Sequence, residues 1–343
     1  MYDYVIVTHI PAFYKVNLYN ELAKKLKILV VFIASNTNEK RADDFITLEK
    51  ASFEYEVLFD GNFQDRDVFK NIKKLKAMLN DSQYKKILVS GWDLKEFWYI
   101  IFTNSKNKNC LALESTINES RVDGIRGFIK KIFLSRISTT FASGKLHQEL
   151  LDALNFKGEV KITKGVGIIN KPNFDPIKKE YKKRFLFIGR LSSEKNIDLL
   201  VDVFNKIPEH TLTVIGTGPL EQELKNKANS NITFIGQVNN TQLQDYFSKN
   251  DIFILPSSSE SWGLVVEEAL YFELPVIVSK NCGASELIEN GVNGYLFDSS
   301  GIKELKKIIL DIDELSYQKL REGVNEFSAN EKDFVQVGVY FAN

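Results

Sequence analysis

The stretch FLFIGRLSSEKNID, Phe185 to Asp198, decides how this 343-residue chain is read. An apolar run ends at Gly189, a polar loop carries Arg190 and Lys195, and a helical pattern opens near Asn196. A short buried strand feeding a helix is half of a βαβ unit, and such units build parallel sheets. Two cations beside a helix start just past a strand end also form an anion site. A strand–turn–helix with surface cations would have the same sequence.

Working outward, the alternation continues through TLTVIG (211–216), ITFIG (232–236), DIFILP (251–256), PVIVS (275–279) and GYLF (294–297), and helical patterns follow 301. Upstream, YVIVT (4–8), ILVVFIA (28–34), YEVLF (55–59), KILVS (86–90), CLALE (110–114) and TTFAS (139–143) read as strands. Helical spacings such as VNLYNELAKKL (16–26) lie between most of them. GVGIINKPNFDPIKKEYKKR (165–184) interrupts the pattern with two prolines and a charge run. The expectation is α/β, with two doubly wound, Rossmann-like domains facing across a cleft at the carboxyl ends of their sheets. The expected boundaries are 1–168, a linker at 169–184, and 185–327, with a closing helix at about 328–343 packed back on the first domain.

Composition is that of a globular protein, with 44% hydrophobic and 26% charged residues. Net charge is +0, but the first 170 residues hold 26 basic and 20 acidic side chains, so the rest hold 19 and 25. A basic front half suits an anionic partner such as a phospholipid surface, or is scattered solvated lysine. Cys110 and Cys282 alone imply no disulfide framework, and His9, His147 and His210 lack metal-ligand spacing. MYDYVIVTHI reads as a first strand rather than a signal peptide, and no apolar run is long enough to span a bilayer.

Further motifs follow other strands. In VIGTGPLEQEL (214–224), Gly216 and Gly218 allow close backbone approach to a ligand or make a tight turn. In PSSSESWGLVVEEAL (256–270), Gly263 gives room near a helix start, and three acids, Glu260, Glu267 and Glu268, accompany it. Were the run wholly helical, Glu267 would lie about 20° and Glu268 about 80° from Glu260, so spacing does not choose between them. Carboxylates accept strong hydrogen bonds from sugar hydroxyls; an exposed acidic pair is the plainer account. Gly283 and Ala284 either sit beside a phosphate or serve packing.

Taken together, GRLSSEKNID, VIGTGPL, FIGQV and PSSSESWGLVVEEALYFELPVIVSKNCGASELIENGVNGYLF resemble the retaining glycosyltransferases of family 4, which have the GT-B fold. The resemblance covers roughly 185–300. Its acidic motif is Glu, seven residues, Glu, commonly then Ala, which selects Glu260 and Glu268 before Ala269. It implies that Glu260 contacts the transferred sugar and Glu268 the nucleotide ribose. Arg190 and Lys195 match the pair that holds the donor diphosphate, and amides near Gly263, Leu264 and Val265 assist. Val238 matches a nucleobase contact, and Gly189 and Gly216 fall on the donor side. The implied reaction is metal-free, retaining, hexosyl-type transfer from a nucleoside-diphosphate sugar, by frequency UDP, to a glycan or lipid-linked acceptor. The implied setting is capsule, lipopolysaccharide or other surface polysaccharide synthesis, with no cofactor and no nucleic acid.

The first domain departs from that family. THIPAFYKVN (8–17) has no glycine, which also argues against a dinucleotide oxidoreductase. Where many members have a histidine, this chain has Glu114, followed by Ser115, Thr116 and Asn118. Glu114 is taken as a candidate catalytic residue, with His9 and Tyr14 on the acceptor side. A non-catalytic sugar-nucleotide-binding homologue is the alternative. GIRGFIKKIFLSRIS (124–138) has apolar residues at 125, 128, 129, 132, 133 and 137, with Arg126, Lys130, Lys131 and Arg136 largely off that stripe. Packing on the sheet is the expected fate; contact with an anionic membrane from a cytoplasmic protein is the other.

Overall fold

The structure is a computed structural model that describes residues 1–175 and 179–341. Residues 176–178 of the expected linker, and 342–343 of the expected closing helix, lie outside the described residues. The chain divides into two compact units, Met1–Ile168 with Lys332–Asn343, and Ile169–Glu331.

The first unit runs β1 (Tyr2–Thr8), α1 (Phe13–Ala23), β2 (Ile28–Phe32), β3 (Glu54–Val57), α2 (Val68–Asp81), β4 (Tyr84–Val89), α3 (Lys95–Thr103), β5 (Asn109–Leu113), α4 (Gly124–Ser135), β6 (Thr139–Ala142), α5 (Lys145–Ala153) and β7 (Glu159–Ile162). Its parallel sheet has the order β3-β2-β1-β4-β5-β6-β7. The central strands read as unbroken apolar runs because helices cover both faces. Val5 and Val7 face a layer with Leu75, Phe97, Phe133 and Leu150, while Tyr4 and Ile6 face Val16, Leu22 and Tyr340. The Tyr340 ring stacks on Phe141 at 4.3 Å, so residues near the end of the chain complete this core. The edge strand β7, EVKI, is half-exposed and charged, and escaped the pattern reading for that reason.

The second unit runs β8 (Arg184–Ile188), α6 (Ile197–Phe204), β9 (Thr211–Ile215), α7 (Glu221–Lys227), β10 (Ile232–Gly236), α8 (Leu243–Lys249), β11 (Ile252–Leu255), α9 (Leu264–Tyr271), β12 (Val276–Ser279), β13 (Gly294–Phe297), α10 (Ile302–Asp311) and α11 (Glu314–Asn325). Helix α12 (Ala329–Gly338) begins in this unit and ends in the first. The six strands pair in parallel in the order β10-β9-β8-β11-β12-β13. Asp251 anchors the entry to β11. Its fully buried carboxylate accepts from the backbone amides of Lys182 and Arg184, both at 2.9 Å, and from the Arg184 guanidinium at 2.7 Å.

Two stability predictions follow from buried ionisable groups. Removing this carboxylate leaves the amides of Lys182 and Arg184 without their acceptor, so Asp251→Ala is expected to destabilise the second unit by about 2–4 kcal/mol, read as a lower urea midpoint. His147 on α5 is fully buried, and burial pushes its imidazole from 6.5 down to about 4, with the Glu114 backbone working weakly the other way. Between those values the unfolded chain binds a proton that the folded chain refuses. Stability therefore falls as pH drops from 6.5 towards 4, by about 3 kcal/mol in all. His147→Leu should flatten that part of the stability–pH curve, whatever its effect at neutral pH.

Candidate functional site

In the second unit the strand order reverses between β8 and β11, because β9 lies on one side of β8 and β12 lies beyond β11. Loops leaving the carboxyl ends of such a pair diverge and open a crevice. Gly189 and Arg190 follow β8, and Glu260 follows β11. Hydrogen bonds hold these loops in register. Ser258 N–H donates to the Glu194 carbonyl at 2.9 Å, and the Asn196 amide donates to the carbonyls of Pro256 and Ser299. Asn196 adopts a left-handed conformation that ends the short 3₁₀ turn Ser193–Lys195 and starts α6. On the other side, Gly283 N–H donates to the Glu260 carbonyl at 3.0 Å, joining the loop after β12.

Across this crevice the Lys195 ammonium donates to a Glu260 carboxylate oxygen, with both side chains largely buried. The exposed Arg190 lies on the same loop as Lys195. Burial would raise the Glu194 carboxyl; the Ser192 hydroxyl, the Glu194 amide and the Lys195 and Arg190 charges outweigh burial and hold it below the ordinary range. The loop's own hydrogen bonds supply the larger part of that lowering, and the two cations add to it.

The helix after this loop begins only at Leu264, so Glu260 lies outside it. Gly263 caps α9 at φ +95° and has no side chain to occupy the first-turn amides, where Leu264 and Val265 sit. Glu267 is buried and accepts the Trp262 indole N–H, a structural task. Glu268 lies one residue on, also buried. The small residues have packing roles. A Cβ on Gly216, at φ +126°, would meet the Gly189 carbonyl oxygen at 1.9 Å, and one on Gly283 would meet the Ser261 carbonyl oxygen at 2.1 Å. Val238 lies two residues past β10 and is half-buried.

In the first unit the strand order reverses between β1 and β4. His9, Tyr14 and Glu114 line one cavity of about 320 Å³ there, together with Lys15, Arg41 and Asp93. The His9 Nε2 and Asp93 Oδ2 are 2.9 Å apart, and the buried Lys15 ammonium is 2.7 Å from a Glu114 oxygen. Burial would lower Lys15; the Glu114 carboxylate, with Tyr14 and Tyr19, overrides it and raises the ammonium above its usual range. Burial would raise Asp93, but His9 and, less strongly, Lys15 lower it. Burial pushes the Tyr14 hydroxyl up to about 12, so it stays a donor at neutral pH. Phe45 and Phe63 supply apolar walls.

Lys15 and Asp93 were missed by sequence reasoning. Lys15 interrupts an apolar helical turn, FYKV, and that was the available signal. Asp93 follows the second strand flanking the reversal, a position visible only once the strand order is known. His147, which looked isolated, packs by the Glu114 backbone. Among the described residues, no group of three or more His, Cys, Asp or Glu is placed to hold a metal ion.

Residues 170–330 match the family model for glycosyl transferases group 1. An uncharacterized glycosyltransferase of Haemophilus influenzae is 28% identical over 260 residues, covering 71% of this chain and 70% of that protein. The O-antigen biosynthesis glycosyltransferase WbnH of Escherichia coli is 34% identical over 149 residues, 42% of each chain. Among solved structures, Anabaena HepE, crystallised with UDP and glucose, superposes with a TM-score of 0.72 at 15% identity over 97% of this chain and 98% of its own. Two Rossmann-like units give this chain the GT-B fold, and its second unit spans the whole segment that matches the glycosyl transferases group 1 model.

Proposed function

We propose that the chain moves a sugar from a nucleoside-diphosphate sugar, with UDP as the nucleotide, to a glycan or lipid-linked acceptor, with retention at the anomeric carbon and without an essential metal. The observation that carries this is the contact of Lys195 with Glu260 beside Arg190, where β8 and β11 end. A diphosphate entering the crevice competes for the Lys195 ammonium and meets Arg190 and the open first turn of α9. Glu260, released from Lys195, is then free to accept hydroxyl hydrogen bonds from the sugar. As the glycosidic bond breaks, negative charge grows on the leaving diphosphate, and fixed cations stabilise that charge more than the ground state. Glu268 holds the ribose and the Val238 backbone the base. Gly189, Gly216 and Gly263 contribute by letting these backbones approach closely.

The acceptor side is assigned to the cavity of the first unit. Glu114 is its catalytic-side carboxylate, with His9 and Tyr14 presenting polar groups between aromatic walls, a lining suited to a sugar ring. HepE was solved with UDP and glucose, and WbnH is named for O-antigen biosynthesis; both support a UDP-sugar and a surface-polysaccharide or lipopolysaccharide setting. A capsule-type product fits equally, since an uncharacterized protein of a Klebsiella pneumoniae cps region is a further relative. The proposed location is the cytoplasm, peripheral to the inner face of the membrane where lipid-linked acceptors lie.

Lys195→Ala should lower transfer roughly 10²- to 10³-fold in a protein that still folds and unfolds cooperatively, measured by nucleoside-diphosphate release across a panel of nucleotide-sugars. Wild-type turnover in that variant would refute the assignment, and tight donor binding with no transfer by the unmutated protein would make it a binding homologue. Glu114→Gln should leave donor affinity unchanged and reduce transfer by at least tenfold. A loss of donor affinity instead would remove Glu114 from the acceptor side.

A further inference from the structure

Helix α4 was expected to bury its apolar stripe, and it does so only in part. Phe133 and Leu134 pack into the first unit with Gly127, whose Cβ position is filled by the Val122 carbonyl. Ile125, Phe128, Ile129 and Ile132 stay in solvent, Ile125 at 76% and Phe128 at 63% exposure. The reason is angular. With roughly 100° per residue, those four side chains fall within an arc of about 100°, and Gly127 and Leu134 point the opposite way. Arg126 falls about 100° to one side of Ile125 and Lys131 about 120° to the other, both exposed. An open apolar stripe of four large side chains on one helix is unusual for a soluble surface.

We propose that this face of α4 docks on an anionic phospholipid bilayer, with Ile125, Phe128, Ile129 and Ile132 in the acyl boundary and Arg126 and Lys131 reaching lipid phosphates. Charge decides the occupant. Cations flank the apolar stripe on both sides, and no acid lies on the helix. That is the arrangement in which long basic side chains lay their stems along apolar surface and keep their charge at the headgroups. A second copy of the same face would bring like charges together, which disfavours a dimer through it.

Lys130 is not part of the docking surface. Its ammonium donates to the Arg121 carbonyl at 3.0 Å and lies 5.3 Å from the centre of the Trp92 ring. Burial, then Arg126, lowers its pKa. It holds α4 to the unit.

The proposal adds a surface to the membrane setting proposed above and is testable apart from catalysis. The full chain is co-sedimented with phosphatidylcholine vesicles with and without phosphatidylglycerol, and its transfer activity is followed with a water-soluble acceptor. The wild type should bind only the anionic vesicles. Arg126→Glu/Lys131→Glu should bind at least roughly thirty-fold more weakly, since loss of each basic side chain near an anionic surface alone costs on the order of 1 kcal/mol and the new carboxylates are repelled. Phe128→Ser/Ile132→Ser should lose at least about tenfold, and both variants should keep the wild-type melting temperature and soluble-acceptor activity. Lys130→Gln, removing charge without reversal, should leave vesicle binding within about twofold. Vesicle binding unchanged in both double variants would overturn the proposal, as would a wild-type dimer that Phe128→Ser/Ile132→Ser dissolves. Loss of transfer with vesicle binding intact would count against the reaction and leave the docking surface standing.

Discussion

Everything at the candidate site depends on the parallel sheet. Parallel strands put all their carboxyl ends on one edge, and strand order must reverse somewhere if the chain is to build outward in both directions. Both units do this between their first strand and a neighbour added later: β1 with β4, and β8 with β11. At that seam two loops from distant parts of the sequence leave side by side. His9 meets Asp93 in one unit, and Lys195 meets Glu260 in the other. The same topological constraint thus brings a basic side chain to a carboxylate twice.

Those pairs are costly to bury alone. An ammonium or a carboxylate taken from water loses several kcal/mol of hydration, and a partner in contact offsets the loss. Lys15 illustrates the balance, since burial and Glu114 act in opposite directions and Glu114 prevails. Asp251 shows the structural use of the same physics, with two backbone amides and a guanidinium around one carboxylate. What distinguishes the pair at β8 and β11 is its setting. It stands beside an exposed arginine and a glycine-capped helix start, where a polyanion can replace the carboxylate as the partner of the lysine.

Helix α4 is governed by a different limit. A helix has one side to pack, and the glycine at 127 brings the backbone of α4 against Val122 on that side. Residues opposite have no protein to meet within the unit. Their hydrophobic stripe therefore requires an external explanation, and the flanking cations indicate one of negative charge.

The strands of both sheets except the charged edge strand β7 were legible in the amino-acid sequence, because a strand covered on both faces must be apolar along its length and βαβ spacing leaves few topologies. Arg190, Lys195 and Glu260 were legible too, because they lie in loops that follow strands. The sequence by itself therefore determined the fold class and the loops that carry the candidate residues. Only the tertiary structure separated Glu260, which precedes α9 and pairs with Lys195, from Glu267, which lies inside α9 and accepts an indole N–H, since that turned on where α9 begins. Only it joined Lys15 to Glu114 and Asp93 to His9, and left four of the six apolar side chains of the α4 stripe in water. Side-chain pairing across strands and the orientation of a helix on its sheet are long-range events, and local periodicity carries no record of them.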